Sequence, residues 1–374
     1  MQDITLAQLQ SLESLVLWLA FALALLLGWV IQRTHFCTMG ALSDWLLMRD
    51  ATRLRQWALA LAVGMLGLGG MTLLGWVNPL NTIYAVPRFP WLSYLLGGLV
   101  FGVGMVLASG CPTKNLVRLG GGSLKALVVL LVMGMSGLAT LRGAPGLLRV
   151  QVLDPLTLEV ASGPFIAQWL SGASGLQLMD AWWLTPVLVA LPLAAWVLFG
   201  RGFVQANNLL AGLGIGAIML ALWWVSGMTG FVPEHPETLE SVFVATGSGR
   251  MEGLSFTGPV APWLEAFMYL ADGRKRLTLG MALVPGVILG AAWSAWRLAE
   301  FRWEGFTRLS DLARHLVGAF FMGVGGVSAM GCTFGQGLTG LSTLNWGSLV
   351  AVAAIVAGAM LTLRVQWWLA ERHG

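Results

Sequence analysis

The chain has 374 residues, of which 57% are hydrophobic and only 10% are charged, against roughly a quarter charged in an ordinary soluble domain. This composition excludes a water-soluble globular enzyme. The formal net charge is +4, from 21 Lys and Arg against 17 Asp and Glu, and no nucleic-acid-binding motif accompanies it. We therefore expect the lipid bilayer, and no nucleic acid, as the partner of most of the surface.

Apolar stretches long enough to cross a bilayer, which takes about 20 residues in a helix, recur along the whole chain. Divided at polar or glycine-rich interruptions, they predict about nine spanning helices, near residues 13–31, 56–77, 91–110, 123–141, 181–199, 208–226, 277–297, 314–331 and 345–364. The alternation typical of membrane strands is absent, so helices satisfy the backbone in lipid. The first stretch lacks a basic flank and a cleavage site, and we interpret it as a retained span.

Four further segments follow a Cys, Gly or Pro and are too short to span, namely residues 38–48, 113–119, 261–270 and 334–341. We predict that they are re-entrant helices. Pro112, directly after Cys111, suits the first position of a helix, where the missing N–H costs nothing. A helix N-terminus inside the membrane presents unpaired N–H groups and a positive dipole end, both suited to an anion.

An internal repeat relates residues 102–111 to residues 323–332, with seven identities in ten positions at an offset of 221. The first copy lies on the third predicted span and the second on the eighth, so the copies cross the membrane in opposite directions. This pattern predicts an inverted-topology repeat with a pseudo-twofold axis, which in transporters places the substrate site near the midplane. We predict one integral membrane domain with two repeat halves, residues 1–200 and 201–374. The offset relates Cys37 to Gly258, so the second half has no cysteine that corresponds to Cys37.

The positive-inside rule favours an outer N-terminus and an inner C-terminus. This orientation places 14 of the 21 Lys and Arg residues on the inner side. The outer side then holds the other seven, Arg88, Arg142, Arg149, Arg250, Arg274, Lys275 and Arg276. The cluster at 274–276 speaks against the arrangement.

The three cysteines, Cys37, Cys111 and Cys332, cannot all pair, and no two have the spacing of a metal or redox site. We therefore expect no disulfide framework, no metal and no cofactor. A single cysteine in a membrane helix is most often a small buried hydrophobic residue. Two of these three, however, occupy equivalent positions of the repeat.

The motifs around the cysteines carry a family resemblance. They read THFCTMGA at 34–41 followed by Asp44, ASGCPT at 108–113 with Arg118 and GGGS at 120–123, and GCTFGQG at 331–337. Together they resemble the YeeE/YedE family of bacterial sulfur-compound transporters over nearly the whole chain. The resemblance implies inner-membrane uptake of thiosulfate, nine spans, four re-entrant helices and a pore marked by Cys37, Cys111 and Cys332. It also implies a cytoplasmic sulfur carrier of the TusA-like or rhodanese-like kind, and some members are associated with selenium compounds.

Thiols in a low-dielectric site are expected to stay neutral near pH 7, and a neutral S–H group is a weak hydrogen-bond donor. Three such donors in file suit a soft sulfur oxyanion, because each replaces some hydration and releases the ion easily. Six further polar residues are weaker candidates for the path. Helix capping, interhelical hydrogen bonds or ordinary basic flanks explain them equally well: Thr113, Lys114, Asn115, Arg118, Thr333 and Gln336.

Two function classes follow. Transport without enzymatic chemistry is favoured by the inverted repeat, the broken helices and the lack of a catalytic constellation. The alternative is a membrane-bound sulfurtransferase or redox protein in which one cysteine forms a persulfide. That nucleophile needs a neighbouring base or cation, which His35 near Cys37 hints at, and a helix N-terminus would activate Cys111 in the same way. The residues leave open whether the substrate is thiosulfate or a selenium compound.

Overall fold

The computed structural model describes residues 5–86, 88–160, 162–269 and 277–373. Within these ranges the chain is almost entirely helical. The only sheets there are two short antiparallel pairs, β1 (Arg88–Phe89) with β2 (Leu158–Glu159) and β3 (Phe231–Val232) with β4 (Val242–Phe243). The predicted all-α class is confirmed, and the basic cluster at 274–276 lies outside the described residues.

In residues 5–86, 88–160 and 162–200 the structure has nine α-helices. They are α1 (Leu6–Thr34), α2 (Thr38–Ser43), α3 (Thr52–Leu73), α4 (Trp91–Leu107), α5 (Pro112–Gly120), α6 (Leu124–Arg142), α7 (Ala144–Leu148), α8 (Ile166–Ser174) and α9 (Leu178–Leu198). Single π-helical turns extend α2 and α7, at Asp44–Met48 and Arg149–Leu153, and a 3₁₀ turn covers Pro79–Asn81. Local signals set several starts: Thr5 and Gln8 form a capping box for α1, and Pro112 is the first residue of α5, as predicted.

In residues 201–269 and 277–373 the structure has six further α-helices. They are α10 (Ala206–Leu209), α11 (Ile215–Trp224), α12 (Thr257–Met268), α13 (Leu279–Arg297), α14 (Leu309–Ser328) and α15 (Trp346–His373). Three π-helical segments accompany them, at Leu210–Gly214, Val225–Thr229 and Gly335–Gly340.

Eight helical stretches in the described ranges are long and apolar enough to cross a membrane. They are Leu6–Met48, Thr52–Leu73, Trp91–Gly120, Leu124–Arg142, Leu178–Leu198, Ala206–Thr229, Leu279–Arg297 and Trp346–Arg372. The protein is therefore a multi-pass membrane protein. Helix α14 is also 20 residues long, but charged residues near its start, Asp311 and Arg314, make it more polar. It corresponds to the eighth predicted span, residues 314–331, and packs against both α4 and α6.

All four predicted re-entrant segments are short helices. The first is α2 with its π-helical turn, the second is α5, the third is α12 and the fourth is the π-helix Gly335–Gly340. The third begins at Thr257, four residues earlier than predicted. Pro259 is compatible with this start because the first four N–H groups of a helix have no intrahelical partner in any case.

Close helix packing follows the repeat. Gly97 and Gly104 of α4 meet Gly325 and Gly318 of α14 respectively, so the two helices run antiparallel with their backbones nearly in contact. The offset of 221 relates Gly97 to Gly318 and Gly104 to Gly325, so the two contacts are equivalent by the pseudo-twofold axis. In the same way, α4 packs on α15 as α14 packs on α6, and α1 packs on α13 as α11 packs on α3. The division into halves at residue 200 stays a prediction.

Two faces are defined by the connections between helices. The connections at 74–90, 143–165 and 230–256 lie on the face where α1 begins, which we call the N-terminal face. An isolated β-bridge between Thr82 and Met251 joins the first of these connections to the third. Another, between Phe165 and Asn345, joins the second connection to the residue before α15. The opposite face, the C-terminal face, carries the connections at 49–51, 121–123 and 298–308, where Ser123 pairs with Glu304.

Candidate functional site

The helix breaks before Cys111 and Cys332 have the same backbone geometry. Ser109 and Met330, which are 221 residues apart, both adopt left-handed backbone, with φ of 56° and 54°. Each break ends a spanning helix and is followed by a short helix that begins one to three residues after the cysteine. Irregular backbone at membrane depth is tolerated only inside the protein or along a wet cavity.

Side chains from the short helices satisfy the carbonyl groups freed by these breaks. The Asn115 amide donates to the carbonyls of Gly110 and Cys111, at 3.0 and 3.1 Å. Gln336, which the offset relates to Asn115, donates to the carbonyls of Ala329 and Met330, at 2.9 and 3.1 Å. Both candidates therefore support the backbone around the cysteines.

Arg118 supports the first break in addition. Its guanidinium group donates to the Ser109 carbonyl at 3.1 Å. This contact explains why a long cationic side chain follows the cysteine motif by two helical turns.

The amide caps predict a stability effect. We expect Asn115→Leu to lower the free energy of unfolding by about 1–3 kcal/mol, because two buried carbonyls lose their partner. Thermal unfolding in detergent measures this. The exposed Asn207→Leu serves as control and should change stability by less than about 0.5 kcal/mol. Equal stability of both variants would show that the Asn115 cap is dispensable.

The three thiols are buried and gather around Cys111. Their exposed fractions are 8% for Cys37, 1% for Cys111 and 0% for Cys332. Cys111 lies within interaction range of both other cysteines and of the Thr333 side chain. Cys111 is therefore close to a thiol of each repeat half.

Two of the thiols accept backbone hydrogen bonds. The N–H of Gly40 donates to Cys37 Sγ at 3.3 Å, and the N–H of Gly335 donates to Cys332 Sγ at 3.4 Å. These contacts use the sulfur lone pairs, which leaves the S–H hydrogens free to donate elsewhere.

Buried threonine hydroxyl groups accompany all four short helices. Each is at most 8% exposed, and three of them, Thr38, Thr113 and Thr257, lie in the first turn and have no hydrogen-bond partner in the described part of the chain. Thr333 lies two residues before its helix, and its hydroxyl group is close to Cys111. A buried hydroxyl normally has a partner, because burial without one costs free energy. Thr113 and Thr333 were candidates from the sequence, whereas Thr38 and Thr257 were missed.

Three phenylalanines show that short helices from both halves converge. The ring of Phe334 contacts the edges of Phe36 and Phe256, with ring centroids 5.9 and 5.7 Å apart. Phe36 precedes Cys37, Phe256 precedes Thr257, and Phe334 follows Thr333. The chain segments that lead into α2, α12 and the fourth short helix therefore meet at one buried cluster of aromatic rings.

A basic group lies on the C-terminal side of the thiols. Lys114 is half-buried and lies within interaction range of Cys37 and Cys111, and also of Arg53 and Arg118. Of these, Arg53 forms an ion pair with Asp44 at 3.3 Å. Lys114 is thus a cation close to two of the three thiols.

A cavity of about 490 Å³ opens on the N-terminal side of the thiols. We call it the outer vestibule; Arg88 and Arg149 line its mouth, and Gly258 and Gly331 line its floor. Gly331 directly precedes Cys332, so the vestibule ends beside Cys332. In the described ranges, no group of three or more metal-ligand side chains occurs.

A family model described as sulphur transport matches residues 33–361, which is most of the chain. The chain belongs to the sulphur transport family. Membership in this YeeE/YedE group makes the protein a transporter rather than an enzyme. The resemblance inferred from the three cysteine motifs is thereby confirmed.

Two relatives of this sulphur transport family member span nearly its whole length. One, named thiosulfate transporter TsuA, from Escherichia coli strain K12, is 28% identical over 339 residues, covering 89% of this chain and 90% of its own. The other, of the same name, from Spirochaeta thermophila, is 29% identical over 352 residues, covering 92% of this chain and 97% of its own.

Proposed function

We propose that the protein transports thiosulfate through a path formed by Cys332, Cys111 and Cys37. Its two relatives carry the name thiosulfate transporter. The observation that supports the path best is the gathering of the three buried thiols at the starts of short helices, with Cys111 in interaction range of both others.

The anion passes from thiol to thiol by S–H hydrogen bonds. Because the lone pairs of Cys37 and Cys332 already accept backbone N–H groups, their S–H hydrogens are free to donate to the anion. The positive ends of the short helices offset part of the charge of the dianion without a full cation in the row. Weak donors in series keep any single site from trapping the ion.

The order of the thiols follows from the two faces. The outer vestibule ends at Gly331, beside Cys332. Helix α2 leads from Cys37 to the C-terminal face, and Lys114 interacts with both Cys37 and Cys111. An anion moving inward therefore meets Cys332, Cys111 and Cys37, and then the positive charge of Lys114.

We propose the bacterial inner membrane as the location, with the N-terminal face toward the periplasm and the C-terminus in the cytoplasm. The positive-inside bias supports this orientation. A separate soluble sulfur carrier of the TusA-like or rhodanese-like kind would receive the thiosulfate on the cytoplasmic face, because a carrier that consumes the arriving anion keeps uptake directional.

Thiol labelling tests the orientation. Cys37 is the most exposed of the three thiols, so a membrane-impermeant maleimide applied from the cytoplasmic face should label it faster than Cys111 or Cys332. Inside-out and right-side-out vesicles make the comparison, with Cys37→Ala as the unlabelled control. Labelling of Cys37 only from the periplasmic face would show that the orientation is reversed.

The main alternative is persulfide chemistry. A Cys111 thiolate, favoured by Lys114, would attack the sulfane sulfur of thiosulfate. A new S–S bond would form on the cysteine, and sulfite would leave with the electron pair of the broken bond. Hydrogen-bonded carriage instead leaves every cysteine unmodified.

Uptake by purified protein in proteoliposomes tests the substrate. We expect saturable uptake of labelled thiosulfate, with unlabelled thiosulfate competing better than sulfate, selenite or selenate. Protein-free liposomes are the control. Stronger competition by a selenium oxyanion would instead support the selenium alternative, and absence of thiosulfate uptake would refute the proposed substrate.

A further inference from the structure

The floor of the outer vestibule is built from the start of α12 and the break before Cys332. Ser255 and Gly258 contribute from one side, and Gly326 and Gly331 from the other. Any anion that enters from the N-terminal face crosses this floor before it reaches Cys332. The floor is therefore the first place where the ion loses hydration.

Thr257 lies directly behind this floor. It stands between Ser255 and Gly258, and its side chain packs on Gly326, where a Cβ would come within 2.5 Å of Thr257 Cγ2 and 3.1 Å of Oγ1. The absence of a side chain at Gly326 is what makes room for the threonine. The two residues form one contact across the two sides of the floor.

The Thr257 hydroxyl group is buried and unpaired in the part of the chain that the structure describes. The residue is 2% exposed, and its hydroxyl finds no hydrogen-bond partner among the described residues. Phe256, at the cap position of α12, has no side-chain oxygen to satisfy the first-turn N–H groups. A buried hydroxyl and unpaired N–H groups thus share one helix start, and both donate to oxygen anions.

We propose that Thr257 and the first turn of α12 form an outer capture site for the oxygen-bearing end of a sulfur oxyanion. This proposal rests on the proposed function and adds a residue to it. The offset of 221 relates Cys37 of the first repeat half to Gly258 of the second, which has no thiol. Thr257, the neighbour of Gly258, supplies a hydrogen-bond donor in its place. Because a hydroxyl is a harder donor than a thiol, it binds a sulfonate oxygen and leaves the sulfane sulfur for Cys332.

The charges around the floor agree with this division of roles. Arg88 is exposed at the mouth, where it raises the local anion concentration without reaching the floor. Arg149 is held by Asp154 at 3.1 Å. Neutral donors at the floor therefore bind the ion, and the vestibule charge only steers it.

Replacement of Thr257 by valine or serine tests the capture site. Thr257→Val keeps the shape and removes the donor, and we expect it to raise the KM of thiosulfate uptake about 10-fold or more. Thr257→Ser keeps the donor and should stay within about threefold of the unchanged protein. Thr185→Val is the matched control, because Thr185 is equally buried but donates within α9, to the Ala181 carbonyl.

Thermal unfolding separates binding from structure. Because Thr257→Val removes an unpaired buried hydroxyl, its Tm should equal or exceed that of the unchanged protein. Thiosulfate should raise the Tm of the unchanged protein and of Thr257→Ser more than that of Thr257→Val. A lower Tm, or failure of Thr257→Val to fold, would show that the hydroxyl serves the fold and would overturn the proposal.

Two outcomes distinguish this proposal from the function it rests on. Uptake by the unchanged protein with an unaltered KM in Thr257→Val would overturn the capture site and leave thiosulfate transport standing. No thiosulfate uptake by the unchanged protein would refute the proposed function itself. A serine variant as impaired as the valine variant would also overturn the capture site, because the donor would then not be the feature that matters.

Discussion

Replacement of Cys111 by alanine is expected to reduce thiosulfate uptake at least about 100-fold. Cys111 is 1% exposed and lies within interaction range of both other cysteines, so in the proposed path its loss removes the middle donor. An anion would then have to pass from Cys332 to Cys37 without a donor in between. A 100-fold loss corresponds to about 2.7 kcal/mol in the transport barrier.

The fold should tolerate this change. Cys111 receives at most a weak backbone contact from Lys114, and the break is held by Asn115 and Arg118. Cys111→Ala should therefore unfold within a few degrees of the unchanged protein, and Cys111→Ser should restore only part of the uptake because its hydroxyl is smaller and more strongly hydrated.

Two variants make the comparison specific. Met105→Leu, a volume-conserving change at a fully buried position one helical turn or so before the break, should leave uptake largely intact. Cys37→Ala should reduce uptake less than Cys111→Ala, by about 3- to 10-fold, because an anion there already approaches water. Undiminished uptake by Cys111→Ala would remove the central site from the mechanism.

The second large effect concerns the contact between α4 and α14. A Cβ on Gly104 would lie 2.6 Å from the Gly318 carbonyl oxygen and 2.7 Å from the Met322 nitrogen, both backbone atoms. Backbone cannot rotate away, so Gly104→Ala must push the two helices apart. We expect it to lower the free energy of unfolding by about 1–3 kcal/mol, the typical cost of an overpacked core.

The same change should impair transport, because α4 and α14 carry the breaks before Cys111 and Cys332. Gly172→Ala in α8 is the matched control: no atom lies within 4 Å of the added Cβ, and alanine is favoured in helices by about 1 kcal/mol. Thermal unfolding and uptake of both variants give the comparison. Equal Tm values for Gly104→Ala and the unchanged protein would contradict the close antiparallel contact.

The repeat explains why much of the fold could be predicted from the sequence. The offset of 221 that aligns Cys111 with Cys332 also aligns Ser109 with Met330, the two left-handed residues of the breaks. Long apolar stretches and the positions of glycine and proline sufficed to locate the spans and the short helices. The start of α12 was placed four residues late, because a proline can occupy the first turn of a helix as well as precede it.

The roles of the polar residues were harder to predict. Asn115 and Gln336 followed the cysteines closely enough to be candidates for the path, but the structure uses both to hold backbone carbonyls. That difference depends on which way an amide points across a helix break, and sequence spacing alone does not determine it. The equivalence of the two residues at the offset of 221 was the signal that a shared structural role was available.

Thr257 illustrates what only the three-dimensional structure reveals. The offset from Cys37 led to Gly258, one residue away, where the donor appeared to be lost. Nothing in the sequence distinguishes a threonine hydroxyl group that has a hydrogen-bond partner from one that does not. Burial at 2% exposure without a hydrogen bond is a property of the packed helices.

The most direct test of the account asks whether thiosulfate crosses intact. Purified protein in proteoliposomes receives thiosulfate with radioactive sulfur placed either in the sulfane or in the sulfonate position, and the label inside the vesicles is counted for each. Carriage by successive S–H hydrogen bonds predicts equal uptake of the two sulfur atoms and no label bound to the protein. Uptake of one sulfur without the other, or sulfane label retained on a cysteine, would contradict it and establish persulfide transfer instead.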